Sequence, residues 1–199
     1  MKNLFSNAIL KAGNAGIGIK SKTSMNWFRQ YVKTNIRSAV SVQQLLNATG
    51  LKHSTRLRLG HMYFFAYDAK HKATLPYWDA SPLMIPIHDN GQTITGLNFH
   101  YLPLKYRAKL MDALYDLLSD EKMDQNTKLK MTYNMLKSSA RYKYFKPCIK
   151  QYLKTNIRSQ FVEVPIAFWE VALFLPVAQW QNAKANEVFK DSLHTIVKG

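Results

Sequence analysis

The alternation of apolar and polar positions predicts a small sheet set between helical regions. From Gly60 to Pro103 the chain reads GHMYFFAYDAKHKATLPYWDASPLMIPIHDNGQTITGLNFHYLP. Three aromatic or β-branched runs, Met62 to Tyr67, Leu83 to Ile87 and Thr93 to Leu102, suit a pleated, half-buried surface. Polar Asp68-Ala69-Lys70-His71-Lys72 turns the chain after the first run. Pro82 and Pro86 bracket the second, which places it at an edge or a bend rather than mid-sheet. Asp89-Asn90-Gly91-Gln92 is the strongest turn signal in the chain, because Asn-Gly supplies the positive backbone dihedrals of a tight hairpin. The expected fold is therefore α+β, with a small antiparallel sheet, curled in the manner of an SH3-like barrel, flanked by amphipathic helices.

On either side the apolar period lengthens to that of a helix. Ser24 can cap a helix running to Leu46, in which Trp27, Phe28, Tyr31, Val32, Ile36 and Val40 recur at mostly helical spacing. After the sheet, Lys105 to Ser119 carries Tyr106, Leu110 and Leu114 in one stripe, and Lys128 to Phe145 is a second, strongly basic candidate. Pro147 restarts the chain into a short expected helix through Leu153. Phe161 to Pro165 reads as a strand that closes the sheet, Phe168 to Leu175 as a short buried helix, and Ala178 to Val197 as a final amphipathic helix. Residues 1–23 are expected to be a flexible basic arm, and residues 24–199 a single domain with its central sheet at about 60–103.

Composition narrows the function classes. At 47% hydrophobic and 13% aromatic residues the chain has ample core material, so wholesale disorder is not expected. No run reaches the roughly 18 apolar residues of a membrane span, and the first 20 residues lack a continuous apolar secretion core. The single Cys148 excludes an internal disulfide and a multi-cysteine metal site, and fits a reducing cytoplasm.

Charge changes the picture most. The 28 Lys and Arg against 12 Asp and Glu give +16, and the excess is segregated. Residues 1–67 hold ten basic residues and no acidic one, and residues 125–162 hold nine and none. The sheet region between them, residues 68–124, is nearly neutral, with six basic and eight acidic residues. Charge separated in this way focuses potential on particular faces and makes a polyanion the expected partner, either nucleic acid or an acidic protein surface. Arg29, Lys33 and Arg37 lie four apart on one side of the first helix, where like charges are stabilised only by an anionic neighbour. Arg56 and Arg58 alternate about Leu57 and are expected to share one face of a strand entering the sheet. Arg141-Tyr142-Lys143-Tyr144-Phe145-Lys146, followed by Lys150, interleaves cations with rings, a combination suited to phosphates and, where rings are free, to bases.

One octapeptide occurs twice. Tyr31-Val32-Lys33-Thr34-Asn35-Ile36-Arg37-Ser38 returns as Tyr152-Leu153-Lys154-Thr155-Asn156-Ile157-Arg158-Ser159, too isolated for a solenoid. Each copy offers Lys and Arg four apart, with Thr and Asn between them that can donate to phosphate oxygens. Paired phosphate-contacting segments are one reading, and chance, or an echo confined to helix packing, is the other. The nucleic-acid-binding candidates are thus Arg29, Lys33, Arg37, Arg56, Arg58, Arg141, Lys143, Lys146, Lys150, Lys154 and Arg158.

Catalysis finds less support. Gly13 to Ser21 approaches a phosphate-cradling loop, but Ile19 intrudes between Gly18 and Lys20 and no strand precedes it. The six histidines show no zinc spacing. Asp68, Asp79, Asp89 and Glu163 are the carboxylates a metal-dependent nuclease would have to gather, yet three of them sit in turn-like sequence where carboxylates satisfy local backbone. Asp112, Asp116 and Asp120 form a row that reads as a solvated helix face. Binding without catalysis, cofactor or metal is the expectation.

Several motifs in fixed order carry a family resemblance: Met62 to Asp68, Leu75-Pro76-Tyr77-Trp78-Asp79, Gly96 to Pro103 with Arg107-Ala108-Lys109-Leu110, Phe145-Lys146-Pro147-Cys148 and Trp169 to Pro176. Over roughly residues 24–192 the chain resembles the DNA end protector, or head-completion, proteins of T-even-like tailed phages and their marine and cyanobacterial relatives. Ala69 stands where that pattern has proline. The resemblance implies a virion protein of the head or neck that binds the end of packaged linear double-stranded DNA, shields it from exonuclease in the host cytoplasm, and assists head completion. It also implies contact with portal, neck or tail proteins, and it supplies no catalytic residues. The competing class is a neck or tail protein that docks its basic faces onto an acidic virion ring without protecting DNA ends.

Overall fold

The computed structural model describes residues 10–17, 23, 26–27, 30, 51–110, 122–139, 144–173 and 177–198. The expected helix from Ser24 to Leu46, the first copy of the octapeptide, the row Asp112, Asp116, Asp120, and the candidates Arg29, Lys33, Arg37, Arg141 and Lys143 lie outside the described residues.

The fold is α+β. Strands β1 (Lys52–Ser54), β2 (Met62–Phe64), β4 (Leu83–Asp89), β5 (Thr93–Asn98), β6 (Ile149–Leu153) and β7 (Phe161–Val164) form one sheet in the order β1-β7-β2-β4-β5-β6, antiparallel throughout. A two-stranded ladder of β3 (Trp78–Asp79) and β8 (Trp180–Gln181) stands apart. Helix α1 (Gln125–Ser139), the short α2 (Trp169–Ala172) and α3 (Ala185–Lys198) accompany the helical residues 104–110. Strand β7 closes onto β2 as expected from Phe161 to Pro165, and β1 and β6 join the sheet from outside the 60–103 stretch as well, so six strands build it.

The central strands are buried on both sides, which explains the unbroken apolar run of β2 and of the first half of β4, whereas the edge strands β1 and β6 carry exposed polar residues. Along β2, Met62 and Phe64 face one core with Leu83, Ile85, Leu97, Val162 and Trp169. Tyr63 and Phe65 face a second core with Met84, Ile94, Tyr152 and Phe161. Its rings meet edge to face, Phe65 on Tyr152 and Phe65 on Phe161, each with centroids 5.4 Å apart. The sheet curls around this aromatic cluster. Beyond β6 the chain makes a 3-10 turn at Lys154–Asn156, bridges Tyr67 through Ile157, and enters β7 beside β2.

The expected place of Leu83 to Ile87 is corrected: β4 lies mid-sheet between β2 and β5. Pro86 is accommodated by a register shift between Pro86 and His88, and its carbonyl accepts from Gly60 N–H at 3.0 Å. The strand bends at its proline, as expected, but lies away from the edge. At Gly96, opposite Pro86, a Cβ atom would lie 2.5 Å from Met84 Sδ and 2.8 Å from the Ile85 carbonyl oxygen, so β4 and β5 approach as only glycine permits. The hairpin turn forms as read. Gly91 has φ +90°, Asp89 Oδ1 accepts from Gly91 N–H at 2.8 Å, and Asn90 Oδ1 accepts from Thr93 N–H at 2.7 Å.

Two further expectations are corrected. Residues Ile149–Leu153 are not a helix but strand β6, because Tyr152 must reach the aromatic cluster while Gln151 on the other face is exposed, a period of two. Trp180 belongs to β8 and packs edge to face on Tyr101, so the last helix starts at Ala185 rather than Ala178. Helix α3 buries Val188, Ser192 and Ile196, four apart, against the turns at Phe99–Tyr101 and Lys146–Cys148, and Ser192 Oγ donates to the Tyr101 carbonyl at 2.7 Å. Residues 10–14 are helical, Ala12 is buried in the main core, and Ile17 N–H donates to the Ala12 carbonyl at 2.9 Å. Gly16, with φ +71°, ends this helical turn, which is the local reason for a glycine in the near-miss phosphate loop.

Candidate nucleic-acid interface

The second octapeptide builds one wall of a groove of about 810 Å³ on the sheet's curled edge. Its backbone is held at both ends. Lys154 N–H donates to the Gln92 carbonyl at 3.0 Å, Arg158 N–H to the Ala66 carbonyl at 2.9 Å, and Ala66 N–H to Ser159 Oγ at 2.8 Å. Asn156, read as a donor to phosphate, instead donates through Nδ2 to the Asp68 carbonyl at 2.8 Å. Thr155 is exposed, and its hydroxyl donates to Asn156 Oδ1 at 3.1 Å.

Three candidate cations converge on this groove: Lys154 and Arg158 from the octapeptide, and Arg56 from the segment after β1. Among the described residues that line it, Asp89 from the hairpin is the one carboxylate. Lys154 Nζ donates to it at 2.7 Å, and that bond, with the one from Gly91 N–H, holds the Asp89 carboxyl below its ordinary range. Arg158 is exposed, with Nη2 3.8 Å from Asp68 Oδ2. Among the described residues no carboxylate lies within ion-pair distance of Arg56. The floor is apolar, formed by Leu57, Ile94, Ile157 and Phe161 at the mouth of the aromatic cluster. Thr55, Ser159 and Gln160 add neutral polar groups at the rim.

The remaining candidates lie elsewhere. Arg56 and Arg58 do not share a strand face, because β1 ends at Ser54, whose hydroxyl accepts from Arg56 N–H at 3.0 Å and turns the chain. Arg58 Nη2 donates to Glu163 Oε1 at 2.7 Å, and His61 Nδ1 shares the same oxygen at 2.8 Å. Burial, with the nearby Arg58 and Lys52, outweighs Glu163 and lowers the His61 pKa. Lys146 is exposed on its 3-10 turn. Lys150 folds back onto the core, with Nζ 4.0 Å from the Tyr101 ring centroid, and burial lowers its pKa. From the aromatic and basic cluster, Phe145 packs on the core, while exposed Tyr144 stacks on Tyr106 at 6.2 Å with Lys109 Nζ 5.5 and 5.6 Å from the Tyr106 and Tyr144 rings.

The four carboxylates of the nuclease alternative are dispersed to separate tasks. Asp68 pairs with Lys72 at 2.6 Å, Asp89 with Lys154, and Glu163 with Arg58 and His61. Asp79 is fully buried and accepts from Ser81 N–H, Gln179 N–H and Asn98 Nδ2, with His100 Nδ1 at 2.7 Å. Burial pushes this carboxyl up, but His100 and the hydrogen bonds outweigh it and hold it below the usual range. Burial likewise lowers the His100 pKa, against the pull of Asp79. We assign His100 as the neutral ring donating from Nδ1, with Nε2 left as a bare lone pair, and Asp79 as the carboxylate. Buried Arg107 donates to the carbonyls of Leu102, Leu173 and His100 at 2.7, 2.9 and 3.0 Å, and feels the Asp79 charge without pairing with it directly. Burial also raises the Cys148 thiol to about 12, so it is no nucleophile. Among the described residues, no group of three or more His, Cys, Asp or Glu is placed to hold a metal ion, and no helix is long and apolar enough to cross a membrane.

A charged rim over an apolar floor, with Lys and Arg of the repeated octapeptide on its wall, fits a nucleic-acid ligand. A family model described as phage T4 terminal DNA protecting protein matches residues 1–192. The chain belongs to that family. No curated protein and no solved structure matches it. In this member of the family, the groove's apolar floor is what sequence reading missed. Leu57, Ile94 and Phe161 each read as ordinary strand or core positions, and only the curl of the sheet brings them together beneath Arg56 and Arg158.

Proposed function

We propose that this chain is a non-catalytic virion protein that binds the end of packaged linear double-stranded DNA through its basic surfaces and blocks exonuclease entry. The observation that carries the reading is the convergence of Arg56, Lys154 and Arg158 on one groove in a chain of the terminal DNA protecting family. Protection requires no bond-making. A cap that contacts phosphates on the last turn of duplex and fills the space around the terminus leaves a nuclease nothing to thread. Phosphate contacts position such a cap without reading sequence. Lys146, with Arg29, Lys33, Arg37, Arg141 and Lys143, extends the contact in this reading, whereas Arg58 and Lys150 serve the protein's own structure. A cap on the DNA terminus inside a filled head sits where portal, neck or tail proteins meet it, and assistance to head completion belongs to the same proposal. The curled core is read as SH3-like, with support from the strand order β7-β2-β4-β5-β6 and the 3-10 turn before β7.

The test is binding to equal lengths of linear and covalently closed circular duplex across a salt series, with exonuclease challenge of the linear form. Tighter binding to the linear form with protected ends is expected. Replacing Arg56, Lys154 and Arg158 with glutamine reduces the slope of log affinity against log salt by about 0.9 for each phosphate the variant no longer neutralises. Equal, weak binding to both forms and unprotected ends overturn the proposal in favour of docking onto an acidic protein ring.

A further inference from the structure

We propose that the groove seats the last nucleotide of one DNA strand, with the base over the apolar floor and the 5′-terminal phosphate on Arg56 and Arg158. The inference rests on the end-binding reading above and says how an end is told from the middle of a duplex. Two chemical differences mark an end. The terminal phosphate is a monoester carrying about −1.5 to −2 charges at pH 7, where each internal diester carries one. The terminal base also has one face free of stacking and is the cheapest to unpair.

The groove answers both. Arg56, Lys154 and Arg158 outnumber Asp89 in the lining, and Asp68, 3.8 Å from Arg158, is shared with Lys72, so the groove stays net positive, which suits a doubly charged monoester better than a diester. Lys154 is tied to Asp89 at 2.7 Å, and Arg158, though exposed, donates through Nη1 to the Thr155 carbonyl at 3.2 Å with Nη2 3.8 Å from Asp68, whereas exposed Arg56 has no ion pair among the described residues. A dianion draws both guanidinium groups into bidentate contact. A volume of about 810 Å³ is far larger than a phosphate needs and falls in the range of pockets that hold small organic ligands. Phosphates of an intact duplex touch a rim and leave an apolar floor empty. An unpaired base covers it, and half-buried Leu57 and Ile157, backed by the core residues Ile94 and Phe161, supply a surface on which any of the four bases rests. Sequence tolerance follows, because every base has a flat apolar face. Thr55 and Gln160, both exposed, stand at the rim to meet the base's polar edge or the sugar, while the Ser159 hydroxyl is occupied by Ala66 N–H and the Gln160 carbonyl.

Duplexes of one sequence, prepared with 5′-phosphate ends, with 5′-hydroxyl ends and with both ends closed by hairpin loops, separate this inference from the reading beneath it. The 5′-phosphate form should bind about tenfold more tightly than the 5′-hydroxyl form, the worth of a charge-assisted contact. R56Q/R158Q should bring that ratio to one while the circular dichroism spectrum and melting temperature stay as in the parent. Because the readout is a ratio, a general loss of affinity in the variant does not imitate the result. Thymidine 5′-monophosphate should also shift the Leu57 and Ile157 methyl resonances saturably, and inorganic phosphate alone should not. Open ends preferred over closed ones with no 5′-phosphate preference, or a preference kept in folded R56Q/R158Q, overturn the groove assignment and leave end binding standing. Methyl resonances untouched by the monophosphate overturn the base seat. Open and closed ends bound alike defeat the end-binding reading, and this inference with it.

Discussion

Replacing Asp79 with alanine should cost about 3–5 kcal/mol of folding stability, the range for breaking one partner out of a buried charged network. The size follows from what the carboxylate holds. Oδ1 accepts from the backbone N–H groups of Ser81 and Gln179 at 2.9 and 3.1 Å, and Oδ2 accepts from Asn98 Nδ2 and His100 Nδ1 at 3.0 and 2.7 Å. Alanine strands all four donors and removes the negative charge that Arg107, 4% exposed, feels. Asparagine keeps one oxygen for the two backbone donors but turns an amide N–H₂ toward His100. The imidazole then accepts at Nδ1 only by moving its proton to Nε2, which has no partner. D79N should therefore cost about 2–4 kcal/mol, the penalty of two buried unsatisfied donors, one on Asn98 Nδ2 and one on His100 Nε2. Urea unfolding followed by tryptophan fluorescence and far-UV dichroism, with the m-value checked for constancy, measures both. A D79A variant destabilised by less than about 1 kcal/mol refutes the network as drawn, since a surface carboxylate would cost that much or less.

Acidification should weaken the fold from the histidine range downward. His61 and His100 have folded pKa values below the ordinary 6.5, so below that pH the unfolded chain binds protons that the native protein refuses. Their contribution is complete above about 6.5 and is lost as pH falls toward the folded values, and H61Q should flatten part of the slope in urea titrations between about pH 7 and 5. Gly96→Ala should destabilise by about 1–3 kcal/mol, because the added methyl meets the Ile85 carbonyl and Met84 with only the side chain able to yield. A melting temperature equal to the parent's would disprove that close approach. Cys148 should resist thiol reagents at mildly alkaline pH in the native protein and react at the unfolding rate, as a fully buried thiol raised to about 12 requires. Asp89→Asn keeps an acceptor for Gly91 N–H while removing the carboxylate that faces the groove, so DNA affinity at low salt should rise several-fold, read by fluorescence anisotropy.

Local signals in the sequence are legible where one segment decides its own structure. The Asp89 to Gln92 turn forms because its side chains cap their own backbone, and Phe161 to Val164 is a strand because its residues alternate between the sheet's two cores. Legibility fails where a distant partner decides. Nothing in Ile149–Leu153 rejects a helix until β5 offers its edge and the aromatic cluster offers a place for Tyr152. Pro86 looks like an edge residue until the register shift and the carbonyl bond from Gly60 show how a proline is tolerated mid-sheet. Arg107 could not be foreseen as a core residue, since its three acceptors are carbonyls freed by the ends of other elements.

The site divides along the same line. Lys154 and Arg158 stand out from the repeated octapeptide alone, but their convergence with Arg56 does not, because it depends on the chain bending at Ser54 and curling past Tyr67. The octapeptide's second copy is neither a helix nor an echo of helix packing. Its Tyr152 is core, its Asn156 binds Asp68 backbone, and Lys154, Ile157, Arg158 and Ser159 face the groove. Residues that shape the backbone and residues that meet the ligand are thus interleaved in one short segment. The apolar floor beneath them belongs to the aromatic core of the sheet itself. A groove whose base is core cannot flex freely without loosening the fold, so its shape is set before any ligand arrives. Pre-formed shape of this kind favours a ligand with one defined end over the many equivalent positions along a duplex.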